Sequence, residues 1–130
     1  MRESQNLRES GIWVVNPNTS APITALIDRQ VQRALPPGMT ACTRHVAWGT
    51  PSIETRIDAA IATVALLDLL ARDVPAQGVL VAAFGDPGLA AARELIDVPV
   101  VGIGEAALAH AAGLGDYAIL TIPPAAPPLV

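Results

Sequence analysis

Lysine is absent from this chain of 130 residues, and all eight basic residues are arginine. Without a lysine side chain, the protein cannot form a Schiff base with a carbonyl substrate or attach pyridoxal phosphate. A Walker-type phosphate loop, which ends in lysine, is excluded for the same reason. The net charge of -4 gives the protein no electrostatic attraction to nucleic acid, so we expect no such partner.

Cysteine and aromatic residues are also scarce. The single cysteine, Cys42, cannot form a disulfide within the chain, which fits a reducing compartment, and we expect a cytoplasmic protein. Aromatic residues make up 3% of the sequence, too few for a surface that stacks on bases. No apolar run reaches the roughly 18 residues of a membrane span, so no membrane partner is expected.

The remaining composition is typical of one small globular domain. Hydrophobic residues make up 52% of the chain and charged residues 15%, a balance that excludes intrinsic disorder. A chain of this length can form one domain with an ordinary core. We expect a single lobe over residues 1–130, with a loose polar leader at 1–10 and a proline-rich tail at 123–130.

Apolar runs and helical periods alternate along the chain. Runs typical of buried strands occur at 11–15, 39–47, 78–83 and 98–101, and a fifth strand is predicted at 117–122. Helical periods lie between the runs, with Ser52 and Asp86 as expected N-caps of the second and third helices. The alternation predicts an α/β fold: a doubly wound, parallel, four-stranded, flavodoxin-like sheet with helices on both faces.

Ligands of such sheets bind where the carboxyl ends of the strands meet, next to the point where the strand order reverses. The loops expected at this edge cover residues 16–20, 48–54, 83–88 and 102–105, together with Thr121. The first loop, Asn-Pro-Asn-Thr-Ser, brings two amides and two hydroxyls to the start of a helix. Backbone N–H groups there can hold a carboxylate or an imide carbonyl, and ordinary turn and capping chemistry explains the same residues equally well.

Other patterns carry less specific chemistry. The segment GIGEAA at 102–107 matches a dinucleotide-binding pattern, but the acidic residue expected about 20 positions later is missing. Close packing of a helix on a strand explains its glycines as well. Cys42 and His45 are three apart on a predicted strand and therefore lie on opposite faces, which excludes a thiolate–imidazole pair. Two isolated histidines and one cysteine lack metal-ligand spacing, so we expect no metal.

Five segments together resemble the aspartate/glutamate/hydantoin racemase superfamily, most closely its hydantoin and allantoin racemases. They are VVNPNTS (14–20), GTPSIE (49–54), VAAFGDPG (81–88), AAREL (91–95) and PVVGIGEAA (99–107), in the family's order and spacing. The resemblance implies cofactor-independent 1,1-proton transfer at the Cα of an amino acid or a 5-substituted hydantoin. In that family two cysteines, one from each of two similar lobes, flank the Cα; one removes the proton and the other returns one on the opposite face.

The resemblance also implies roles by position. Ala83 stands where the family has its first catalytic cysteine, and the second cysteine belongs to a second lobe. The ligand contacts implied are those of Asn16, Thr19, Ser20, Phe84, Gly85 and Thr121. We therefore expect a family member whose proton transfer is inactive or impaired and that uses no cofactor. The alternatives are a binding module for a small anion or amino-acid derivative and, ranked lower, a decarboxylase-like relative.

A lone lobe also predicts a partner copy. The apolar strand expected at 117–122 would be an unpaired sheet edge, and such edges associate with other chains. We therefore expect a homo-oligomer that binds a small amino-acid-like or hydantoin-like molecule.

Overall fold

Four short apolar runs form one parallel sheet in the computed structural model, which describes residues 11–73 and 77–120. The strands are β1 (Ile12–Asn16), β2 (Ala41–His45), β3 (Val79–Val81) and β4 (Val100–Gly102). Their order is β2-β1-β3-β4, so the chain winds outward from the centre in both directions and the order reverses between β1 and β3. The predicted doubly wound sheet is confirmed.

A helix follows each strand. The helices are α1 (Ala21–Ala34), α2 (Arg56–Arg72), α3 (Leu89–Leu95) and α4 (Ile103–Leu114). The hydroxyl of Ser20 accepts a hydrogen bond from the N–H of Ile23 at 3.3 Å and so caps α1. No helix among the described residues is long and apolar enough to cross a bilayer.

The second helix begins later than the sequence predicts. Thr55, and not Ser52, is its N-cap: the Thr55 hydroxyl accepts from the N–H of Asp58, whose carboxylate accepts from the N–H of Thr55. This reciprocal pair satisfies two backbone donors at once, which the isolated hydroxyl of Ser52 cannot do. The hydrogen bonds from Glu54 and Thr55 hold the pKa of the Asp58 carboxyl below its usual range.

The deepest core lies between one face of the sheet and the helices α2 and α3. Alternate residues of the strands point into it, as the two-residue period of a strand requires. The cluster contains Trp13, Val15, Val79 and Val81 from the strands, Leu66 and Leu70 from α2, and Ala92 from α3. By contrast, α1 packs against β1 and β2 without any fully buried residue. The sheet is therefore anchored mainly from one side.

The predicted fifth strand is wrong in its described part. Residues 117–120 form no strand pairing, and Leu120 is fully exposed. An apolar run becomes a strand only where a neighbouring strand supplies hydrogen bonds, and 117–120 have no such neighbour in the described sheet. Thr121 and Ile122, the leader at 1–10 and the tail at 123–130 lie outside the described residues.

Candidate functional site

The loops that follow β1 and β3 lie side by side where the strand order reverses. The N–H of Ala82 donates to the carbonyl of Val15 at 2.8 Å, so the first residue after β3 lies beside the end of β1. We call residues 16–20 and 82–88 together the β1–β3 rim. Five of the six predicted ligand contacts fall in this rim, as does Ala83, whereas Thr121 lies outside the described residues.

Asn16 is a buried residue whose side chain is fully engaged within the protein. It is 1% exposed. Its Nδ2 donates to Oδ1 of Asn18 at 2.8 Å and to Oγ1 of Thr24 at 3.1 Å, while its Oδ1 accepts from the N–H of Asn18 at 3.3 Å. Because both amide hydrogens bond within the protein, the Asn16 side chain stabilises the loop conformation and has no free donor for a ligand.

Hydrogen bonds also fix the outer part of this loop. Oδ1 of Asn18 accepts from the N–H of Ser20 at 2.9 Å, which leads the chain into α1. The N–H of Thr19 donates to the carbonyl of Thr50 at 3.0 Å. This bond ties the rim to the loop between β2 and α2. Thr50 Oγ1 is buried and has no hydrogen-bond partner among the described residues.

His45 is a neighbour of the rim that the sequence did not predict as a site residue. The hydroxyl of Thr24 donates its single hydrogen to the carbonyl of Ser20 at 2.8 Å. His45 Nδ1 lies 3.3 Å from the same oxygen and must therefore be the donor in that contact. The sequence gives no sign of the contact between Thr24 and His45, because 21 residues separate them and only the packing of α1 on β2 brings them together.

Cys42 lies on the other face of β2, as strand alternation predicts. Its side chain is half-buried and packs against the hydrophobic core. This burial raises the pKa of the thiol, an effect that exceeds the opposing attraction of the Arg44 guanidinium. Cys42 is therefore a poor source of thiolate.

The loop after β3 offers two backbone donors beside Ala83. Phe84 and Gly85 are both exposed, and Gly85 has a left-handed backbone with φ of 112°. Within the described part of the chain, the N–H groups of these two residues make no hydrogen bond to a protein acceptor. Ala83 itself is half-buried and carries no titratable atom.

Asp86 does not cap the third helix, so that prediction is wrong. The N-cap of α3 is Gly88, two residues further on, and the Asp86 side chain makes no hydrogen bond to the start of α3. The carboxylate of Asp86 accepts from the N–H of Gly104 at 2.9 Å and from that of Glu105 at 2.7 Å. The amides that the dinucleotide pattern would direct at a pyrophosphate are thus already taken.

Glu105 also stabilises the start of α4. Its carboxylate accepts from the N–H of Gly102 at 3.3 Å and pairs with the Arg93 guanidinium, whose Nε donates to the carbonyl of Val100 at 3.0 Å. The hydrogen bond from Arg93, followed by that from Gly102, holds the pKa of the Glu105 carboxyl below its usual range.

This lowered pKa predicts a pH-dependent contribution of Glu105 to stability. A carboxyl whose pKa is lower in the folded than in the unfolded chain stabilises the fold at pH values above the unfolded-state pKa. This contribution is lost as the pH falls from about 4.5. We expect Glu105→Gln to lower Tm relative to the parent chain near pH 6, with the gap closing as the pH falls below about 4.5 and through the lowered pKa of Glu105. Thermal unfolding across this range measures the gap, and a constant gap would contradict the assignment.

Two depressions lie outside the β1–β3 rim. One, of about 450 Å³, lies between α1 and β2 and includes Thr24, Asp28 and His45. The other, of about 550 Å³, lies between α2 and α3 and includes Val64, Asp68 and Leu95. No group of three or more His, Cys, Asp or Glu side chains able to hold a metal ion occurs in residues 11–73 and 77–120.

Comparison with known proteins gives consistent matches. Residues 12–129 match the family model described as Asp/Glu/Hydantoin racemase. The hydantoin racemase of Paenarthrobacter aurescens is 37% identical over 100 residues, which are 75% of this chain and 42% of that protein. The hydantoin racemase of Pseudomonas sp. (strain NS671) is 30% identical over 116 residues, which are 87% of this chain and 47% of that protein.

Solved structures show the same similarity. The allantoin racemase from Klebsiella pneumoniae superposes with a TM-score of 0.76 at 41% identity, over 81% of this chain and 44% of that one. The allantoin racemase from Pseudomonas fluorescens gives 0.75 at 37% identity, over 80% of this chain and 45% of that one. The chain thus spans less than half the length of these relatives.

Proposed function

This chain belongs to the Asp/Glu/hydantoin racemase family, and we propose that its β1–β3 rim binds an amino acid or a 5-substituted hydantoin while Ala83 leaves proton transfer impaired. The observation that supports this proposal is the pair of N–H groups of Phe84 and Gly85, which make no protein hydrogen bond in the described chain. They lie next to Ala83, beside the reversal point of the strand order.

These donors suit the chemistry of racemisation. When a proton leaves the Cα of an amino acid or hydantoin, negative charge develops on the adjacent carboxylate or carbonyl oxygen. Fixed N–H donors directed at that oxygen stabilise the charge without reorganising. Across the rim, Thr19 and Ser20 lie at the start of α1, where the helix dipole also favours an anion. The side-chain amide of Asn16 donates to Asn18 and Thr24 and so fixes the conformation of this loop.

The proton-transfer step lacks its acid/base group. A methyl group stands at position 83, and it neither accepts nor returns a proton. Cys42 does not replace the missing thiol, because it packs against the core on β2 and its pKa is raised by burial. The same facts support the second candidate function, a non-catalytic binding module, since the donors are retained while the thiol at position 83 is not.

Two measurements on the chain as it stands test the proposal. NMR in D2O follows the Cα proton of a 5-monosubstituted hydantoin and of aspartate, and thermal unfolding follows Tm as either compound is added. We expect exchange at the solvent rate together with a saturable rise in Tm, because ligand binding stabilises the folded state. Exchange above the solvent rate would contradict the impairment, and an unchanged Tm would contradict binding.

The homo-oligomer and the cytoplasmic location stay predictions. Val101 on β4, Leu114 at the end of α4 and Tyr117 beyond it are exposed apolar side chains, and they support the expectation of a partner copy. Light scattering at micromolar concentration tests it, and a mass of 13.4 kDa, that of one chain, would contradict it.

A further inference from the structure

Asp86 has an unusual backbone within the loop that carries Ala83. Among residues 11–73 and 77–120 it is the one non-glycine residue with positive φ, at 49°. Its N–H donates to the carbonyl of Ala83 at 3.0 Å and closes a tight turn over residues 83–86. Left-handed backbone is unfavourable for most L-residues, although aspartate tolerates it better than most. Such a conformation persists where the surroundings hold it.

Hydrogen bonds between the Asp86 side chain and a distant part of the chain stabilise this conformation. Its two carboxylate oxygens accept from the N–H groups of Gly104 and Glu105, 18 and 19 residues away. These N–H groups belong to the first turn of α4, where they have no partner within the helix. The carboxylate also lies at the positive end of the helix dipole. One side chain therefore links the turn at Ala83 to the start of α4.

Two glycines make room for this link. A Cβ built at Gly104 would lie 2.9 Å from Oδ2 of Asp86, and one built at Gly102 would collide with the same carboxyl group. The glycines that resemble a dinucleotide pattern therefore accommodate a side chain of the protein itself. Glu105 and Arg93 then fasten the start of α4 to α3 and β4.

We propose that Asp86 is a positioning residue that sets the place of residue 83 and of the neighbouring N–H groups of Phe84 and Gly85. Its backbone N–H fixes the carbonyl of residue 83, and its carboxylate fixes the turn to α4. The functional importance of this position rests on the proposed function, whereas the positioning itself is a property of the fold and is measurable without substrate.

The test places a thiol at position 83 and measures access to it. In the Ala83→Cys chain, iodoacetamide alkylation of Cys42 and of the new thiol is followed peptide by peptide over a range of pH. The limiting rate at high pH, where the thiol is fully ionised, reports access, and the apparent pKa reports charge. Asp86→Gly is then added, because glycine adopts a φ of 49° without steric cost and only the carboxylate is lost.

We expect Asp86→Gly to raise the limiting rate at position 83 by about fivefold or more and to leave Cys42 within about twofold, because one loop is released and the core is retained. Asp86→Asn keeps the shape and one acceptor, and we expect a smaller rise. Asp97→Gly, which removes an exposed carboxylate at the end of α3, is the matched control and should change neither thiol.

Two results would overturn the proposal. One is an unchanged limiting rate at position 83, and the other is a parallel rise at both thiols, which would show that Asp86 only stabilises the whole fold. The proposed function fails by a different measurement, the ligand-induced change in Tm, so the two failures are distinguishable.

Discussion

Ala83→Cys is expected to create exchange of the Cα proton of a 5-monosubstituted hydantoin in D2O, at about 100-fold or more above the parent chain, the usual gain from a positioned general base. The new thiol would lie next to the N–H groups of Phe84 and Gly85, which stabilise the charge that develops when the proton leaves. NMR integration of the Cα proton measures the rate. Because one thiol reaches one face of the Cα, only one enantiomer should exchange.

Two controls sharpen this experiment. Ala83→Ser introduces an atom of similar size whose hydroxyl does not ionise near neutral pH, and it should leave the rate at the parent level. The two enantiomers are measured separately. Equal exchange of both enantiomers would show that residue 83 is not the one-sided base. No exchange from either would show that the rim of this chain does not place the Cα against residue 83.

Leu66→Ala is expected to cost about 2–5 kcal/mol of unfolding free energy, the range for a fully buried leucine. Leu66 is 0% exposed and belongs to the core cluster between α2 and the sheet. It also supports the loop after β3, since a Cβ built at Gly88 would lie 3.3 Å from Cδ2 of Leu66. Urea unfolding measures the loss.

Val64→Ala is the matched control for this prediction. Val64 lies on the same helix but is 55% exposed, so we expect its truncation to cost at most about 0.5–1 kcal/mol. A comparable loss for both variants would contradict the assignment of the core to the face of α2 that carries Leu66. The loss at Leu66 matters for the whole fold, because small domains are stable by only about 5–15 kcal/mol.

The sheet and its rim could be predicted from the sequence, because they depend on local periodicity. Apolar runs alternate with helical periods, and parallel strands necessarily bring their following loops to one edge. Asn16 and Ala83 therefore fall at a common edge without knowledge of any contact. The hydroxyl of Ser20 caps its helix as the residue type suggests.

Features that depend on residues distant in the chain could not be predicted from the sequence. Aspartate before a proline is typical of an N-cap, and nothing local to Asp86 shows that its carboxylate binds amides 18 residues away. The contact of His45 with Thr24 likewise exists only once α1 packs on β2. The apolar residues at 117–120 have the composition of a strand but no strand beside them in the described sheet.

Amide chemical-shift mapping of the isotope-labelled chain with a 5-substituted hydantoin locates the bound ligand on the protein. We expect the largest shifts at residues 16–20 and 82–88, with Phe84 and Gly85 among the most affected. Shifts confined to the depression around Asp28 and His45, or to the one around Val64 and Asp68, with the rim unchanged, would contradict it.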